Sequence, residues 1–347
     1  MRYGRWIVLG SAVCGLLIAS CSPGFVLRAG WEEAQILAER RPIEEVIEDP
    51  STPADIRDRL ILVREVRVFA ERQLGLDAGR TYRAFTATDR DTLILVVSAA
   101  PEFELRWKTW WFPIVGRLPY KGFFDFDAAL SEADRLEDAG YDTHVAPSSA
   151  FSTLGWFPDP VLTPALRGDP VSVTETVIHE VAHTTLYARG HSQFNESFAN
   201  YVGHRGAIEY YCTGLQEPEP CARAENRWHD TRAFARFFQS VKTPLEDLYA
   251  SNLSETEMRI RKAQIVAEAV SRFETDVAPG LRSGEYVLSG ELVDNAWLMA
   301  RLLYYERLDD FERLHSRFGS VRQTVETLIS SIDGDPWSAM DALLSAG

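Results

Sequence analysis

The residues best suited to chemistry lie in the run Glu175-Thr176-Val177-Ile178-His179-Glu180-Val181-Ala182-His183. Two histidines at i and i+4 stand one turn apart on one helical face. Both imidazoles can therefore reach a single zinc ion, with Glu180 beside any water that the ion binds. The flanking residues Val177, Ile178, Val181, Ala182 and Leu186 are apolar. Burying two histidines and a carboxylate among them costs free energy unless a metal or hydrogen-bond partners compensate. The plain alternative is an amphipathic helix whose histidines only take part in an ordinary polar network.

A catalytic zinc needs a third protein ligand and an open fourth position. The metzincin pattern places Gly and His at the third and sixth residues after the second histidine, where this chain has Leu186 and Arg189. It does not apply. The run Phe194-Asn195-Glu196-Ser197-Phe198-Ala199-Asn200-Tyr201 instead offers Glu196 from the following helix. Gly190 is suited to end the first helix and Ser192 to cap the second, which predicts a helical hairpin that returns Glu196 to the level of the histidines. His191, in the turn, is the rival third ligand. One zinc per chain, held by His179, His183 and Glu196, is therefore expected, with Glu180 as general base for hydrolysis of a peptide substrate. A non-catalytic zinc that braces the fold would need a fourth side chain such as His191.

This constellation resembles the zinc core of gluzincin aminopeptidases, whose third ligand stands in a similar Asn-Glu-Gly-Phe-Ala stretch. The chain departs from them in having only twelve residues between His183 and Glu196 and no Gly-x-Met-Glu-Asn motif, so their anchor for a free amine is missing. It also resembles the bacterial putative aminopeptidase family of exported or lipid-anchored proteins. That likeness rests on Pro119-Tyr120-Lys121-Gly122-Phe123-Phe124-Asp125, Ser152-Thr153-Leu154-Gly155-Trp156-Phe157-Pro158-Asp159-Pro160, the zinc helix and Asp294-Asn295-Ala296. The resemblance implies an aminopeptidase, with endopeptidase or cell-wall amidase activity as alternatives. Gluzincins also use a downstream Tyr or His against the oxyanion. Tyr304 and Tyr305 are the candidates here, Tyr304 the first of them, with His204, His229 and Tyr210 as rivals. Ligand histidines usually donate their second N–H to an oxygen, and Asn200 and Glu175 are placed one turn away to receive it.

These residues need elements to hold them. Apolar spacing predicts helices over Trp31–Ile47 and Pro53–Leu74, separated by Asp49-Pro50-Ser51-Thr52-Pro53. Between Thr81 and Phe126 the pattern turns β-rich, with strands expected near Thr92–Val97 and Phe103–Phe112. A helix at about Asp127–Ala139 and strands at Tyr141–Val145 and Phe151–Phe157 follow. The last of these is a candidate sheet edge for an extended peptide, and Trp107, Trp110, Trp111 and Phe112 are either pocket walls or core. From Asp169-Pro170 onward the chain reads as helices at about 172–188, 193–212, 222–241, 254–276, 291–306 and 321–331. The expected class is α+β and zincin-like, a helix pair with a small N-terminal sheet region (about 21–165) leading into a helical zinc-binding region (about 166–347), all one domain after residues 1–20.

Those first residues are read as a lipoprotein signal. Arg2 and Arg5 precede an apolar stretch from Trp6 to Ala19 that closes on Ile18-Ala19-Ser20-Cys21, which resembles a lipobox. Cys21 would carry lipid and tether the protein to a bilayer, and Ser22 after it resembles the pattern sent to the outer membrane, facing the periplasm. Cys212 and Cys221 are then the thiols left after processing, and are expected to form a disulfide in an oxidising compartment. A formal net charge of -15 over 347 residues disfavours nucleic acid as a partner.

Overall fold

A computed structural model describes residues 31–32, 34–89, 92–112, 116–148, 159–284, 288 and 294–346. The signal, Cys21 and the strand expected at Phe151–Phe157 lie outside the described residues. The order of elements is β1 (Arg41–Pro42), α1 (Ile43–Glu48), α2 (Ala54–Arg72), β2 (Ala84–Thr86), β3 (Ile94–Pro101), β4 (Trp110–Phe112), β5 (Gly116–Leu118), β6 (Tyr120–Phe123), α3 (Phe126–Glu137), β7 (Tyr141–Ser148), β8 (Val161–Leu162), α4 (Pro170–Thr185), α5 (Ser192–Ile208), α6 (Pro218–Tyr249), α7 (Glu255–Arg272), α8 (Asn295–Leu302), α9 (Leu308–Phe318), α10 (Val321–Ser331) and α11 (Pro336–Ser345). The class is mixed α+β with a helical C-terminal half. None of the described helices is long and apolar enough to cross a membrane.

The expected helix over Trp31–Ile47 is interrupted. Pro42 has no N–H to continue a helix, and Arg41 and Pro42 pair with Phe85 and Ala84 of β2 before α1 begins. The apolar run Phe103–Phe112 yields a strand only at Trp110–Phe112, which pairs with β5. The principal sheet has the order β6-β3-β7, with β3 antiparallel to both neighbours, Val97 opposite Lys121 and Val145. Side chains alternate between its faces. Val97, Ala99 and Phe123 pack beneath Ala129, Ala133 and Leu136 of α3. Val96, Ser98 and Ala100 therefore face the other way, towards α8.

Asn295, fully buried, fixes that second face. Its side-chain amide donates to the carbonyls of Pro101 and Glu102, both at 2.9 Å, and its Oδ1 accepts from the Tyr249 hydroxyl at 2.8 Å. Asp294 caps α8 by accepting from the Trp297 amide at 2.7 Å. The Asp294-Asn295-Ala296 stretch is thus the joint between the sheet and the helical half.

α5 runs on into a wider helical turn, Glu209–Leu215, that holds Cys212. The disulfide to Cys221 in the first turn of α6 closes the junction between the two helices. With nine residues of sequence separation, the chain-entropy argument gives this link about 2–3 kcal/mol. Denaturant unfolding with and without reductant, or of the Cys212→Ser/Cys221→Ser variant, should show a loss of that size.

Candidate metal centre

α4 starts where its sequence says it must. Asp169 accepts from the amides of Val171 (2.8 Å) and Ser172 (3.4 Å), and Pro170 occupies the first helical position. Its end differs from expectation. The helix stops at Thr185, not near residue 188, and Ser192 begins α5 as its first residue while His191 occupies the cap position without a side-chain hydrogen bond. The cause is Asn195, which is 1% exposed. Its Oδ1 accepts from the Ala188 amide at 2.8 Å and its Nδ2 donates to the Ala188 carbonyl at 2.9 Å, so a side chain replaces helical bonding in the connection. Clamping that loop sets the neighbouring Glu196 against α4.

Close contact between the two helices depends on Gly203. A Cβ there would stand 2.8 Å from the Glu175 carbonyl oxygen and 3.3 Å from the His179 Cβ. Contacts of Glu175 with Gly203 and His204, and of His183 with Glu196, also show that the helices run antiparallel. Gly203→Ala should push them apart, costing about 1–3 kcal/mol and weakening metal binding through His179. Paired urea unfolding and zinc titration would register both losses.

Three donor atoms converge. His179 Nε2 and His183 Nε2 are 3.2 Å apart, and Glu196 Oε2 is 3.5 Å from each. Ligands about 2.0–2.2 Å from a tetrahedral zinc are separated by about 3.3–3.6 Å, so the triangle has the dimensions that such an ion requires. Two imidazoles and a carboxylate are also a zinc-type donor set. Among the described residues this group contains three donors and no fourth. His191, the rival ligand, lies instead beside Asp335, Nδ1 to Oδ1 3.5 Å. Burial pushes the Glu196 carboxyl up, but the adjacent His183 and His179 outweigh it and hold the group well below the usual carboxylate range. Burial pulls His183 down, yet Glu196 and Glu180 raise it overall.

Glu180 is half-buried and neither accepts a hydrogen bond from nor pairs with any described residue. Its charge is nevertheless felt by His183, Tyr82, Tyr120 and Tyr304. A carboxylate beside the donor triangle with its oxygens unclaimed is placed to take a proton.

The hydrogen-bond partners expected for His179 and His183 are directed elsewhere. The Glu175 carboxylate is taken by His204 Nδ1 at 2.9 Å and by Arg227 at 2.7 and 2.8 Å. Asn200 Nδ2 donates to the Tyr304 carbonyl at 2.9 Å. The buried Nδ1 of His183 meets no hydrogen-bond partner among the described residues. Asn200 thus hydrogen-bonds the backbone of Tyr304 and makes no hydrogen bond to His179 or His183.

Among the aromatic candidates Tyr304 alone stands at the histidines, its ring 6.4 Å from that of His179. Tyr305 stacks on Phe238 at 5.5 Å, Tyr210 packs on Phe69 at 5.1 Å, His204 is bound to Glu175, and His229 to Asp230. The Glu196 charge raises the Tyr304 hydroxyl well above its ordinary value, so it remains a proton donor. Three further tyrosines share this field and were not anticipated. Burial and then Glu196 raise Tyr120 on the edge strand β6 and Tyr187 just after α4, and burial and then Glu180 raise Tyr82. Tyr187, one helical turn after His183, could have been noticed from spacing. Tyr82 and Tyr120 reach the site only through the tertiary fold. Of the expected pocket aromatics, Trp107 faces the cleft and donates to the Met299 carbonyl at 3.3 Å, Trp110 is core beneath α3, and Trp111 is exposed.

The family model described as Putative aminopeptidase matches residues 24–334, and the chain belongs to that family. No curated protein and no solved structure matches the chain. By its family the chain is a hydrolase of peptide bonds, with peptides as substrate.

Proposed function

We propose that the chain is a zinc-dependent peptidase of zincin-like fold, an aminopeptidase of the bacterial cell envelope tethered through a lipidated Cys21. The observation that carries the zinc reading is the triangle of His179, His183 and Glu196, with edges of 3.2, 3.5 and 3.5 Å, next to the Glu180 carboxylate, which pairs with no described residue. When bound, zinc supplies a Lewis acid that brings the pKa of a water towards about 7 and polarises a carbonyl. Glu180 takes the proton of the attacking water and passes it to the departing amine. Tyr304, kept protonated beside Glu196, donates to the oxygen on which charge develops. Three donors and no fourth among the described residues favour this catalytic reading over a zinc that only braces the fold. The aminopeptidase assignment follows the family, and the envelope location follows the leader-like residues before Cys21.

The test uses the protein stripped of metal and then reloaded with zinc, offered matched peptides with free and N-acetylated termini. Hydrolysis should depend on reloading and should fall at least tenfold on acetylation. Equal cleavage of both peptides would replace aminopeptidase with endopeptidase or amidase. No cleavage of either by the reloaded protein would overturn the peptidase reading.

A further inference from the structure

The sheet face turned away from α3 does not pack fully against α8. Between Ser98, Tyr120 and His144 on the strands and Arg301 and Tyr304 at the end of α8 lies a cavity of about 200 Å³. Tyr304 lines this cavity and also flanks His179, and Tyr120 lies in the field of both Glu196 and Glu180, so the cavity adjoins the donor triangle. Its volume is below the roughly 300–1,000 Å³ of pockets that enclose whole ligands and suits one side chain or a peptide terminus.

Its charge is one-sided. The described lining contains no Asp or Glu. His144 is held neutral, its pKa pulled down to about 4 by burial and then by the Arg301 charge. Arg301 is therefore the one lasting charge among the described lining residues. It has no ion-pair partner among the described residues, and its guanidinium rests over the Trp297 ring at 5.5 Å. An aromatic face orients a guanidinium without neutralising it, leaving its N–H fork free for a planar anion.

We propose that this cavity is the specificity subsite of the metal centre, and that Arg301 selects peptides carrying a carboxylate on the residue seated beside the scissile bond. The inference deepens the peptidase reading and rests on it for the cavity's role in substrate binding. The carboxylate could belong to an acidic side chain or to the substrate's own C-terminus. The lack of an acidic residue in the described lining also argues that a substrate's free amine does not sit here.

Calorimetry on the zinc-loaded Glu180→Gln protein separates the possibilities without turnover. The probes are the dipeptides Ala-Glu-amide, Ala-Gln-amide and Ala-Gln with a free C-terminus. At least one carboxylate-bearing peptide should bind about tenfold more tightly than Ala-Gln-amide. Preference for the first assigns a side-chain carboxylate, and preference for the third assigns the C-terminal one. In the same background Arg301→Gln should bring all three affinities within about twofold of one another. Arg301→Met, which keeps the side chain's apolar length against Trp297, should repeat that result. Equal affinities before any change at Arg301, or a carboxylate preference that survives both substitutions, would overturn the proposal. Failure of the peptidase reading would show separately, as a wild-type protein that displays the binding preference but cleaves nothing.

Discussion

Glu180→Gln should bind zinc at one ion per chain and hydrolyse peptide about 10²–10⁴-fold more slowly than the wild type, the span that a lost general base produces. Glutamine keeps the size of glutamate and its two polar atoms, but its amide cannot accept a proton near neutral pH. Glu180 is not among the three converging donors, and no described residue depends on its oxygens for a hydrogen bond. The substitution should therefore leave the triangle intact and change global stability by no more than about 0.5 kcal/mol. Metal analysis, urea unfolding and kcat on the same preparation make the comparison. Undiminished cleavage by a zinc-loaded variant would remove Glu180 from the role of base. Loss of zinc along with activity would make it a ligand or a support of the ligands.

The part of this site that depends on one helix was legible in the sequence, because a spacing of four residues fixes two side chains on one face whatever the rest of the chain does. The Asp169-Pro170 start of α4 was equally local. The end of α4 was not, since Gly190 and Ser192 carry the usual stop and cap signals while Asn195 reaches back from α5 to bind both backbone groups of Ala188. Glu175 shows the same limit. Its position one turn before His179 is correct for a partner of that histidine, but His204 and Arg227 approach from elements distant in sequence and take both carboxylate oxygens.

Two helices were missed although their signals are present. Leu308, Phe311, Leu314 and Phe318 recur at helical spacing along α9, and Asp335-Pro336 repeats at α11 the start signal of α4. The apolar run Phe103–Phe112 erred in the other direction. Its composition favours strand, but only Trp110–Phe112 finds a pairing partner, and Trp107 is drawn off towards Met299. Composition can say that a segment will be buried. It does not say which backbone will be available to pair with it.

Glu196 is where helix spacing and tertiary folding meet, and its removal should have the second large effect. Glu196→Ala deletes the carboxylate of the triangle and leaves two imidazoles 3.2 Å apart. Loss of an outer partner of a ligand typically weakens metal binding by 10–100-fold, so loss of a ligand should weaken zinc binding by more than about a hundredfold. Because zinc binds the folded chain, a hundredfold weaker affinity removes about 2.7 kcal/mol of zinc-dependent stabilisation when the ion is in excess. The loss is readable as a smaller zinc-induced rise in Tm and needs no substrate. His191→Ala supplies the contrast. His191 faces Asp335 across 3.5 Å, away from the triangle, and its removal should leave zinc affinity within about twofold of the wild type. The opposite pattern, with zinc retained by Glu196→Ala and lost by His191→Ala, would transfer the third ligand to the turn. The hairpin clamped by Asn195 would then open around the metal instead of closing on it.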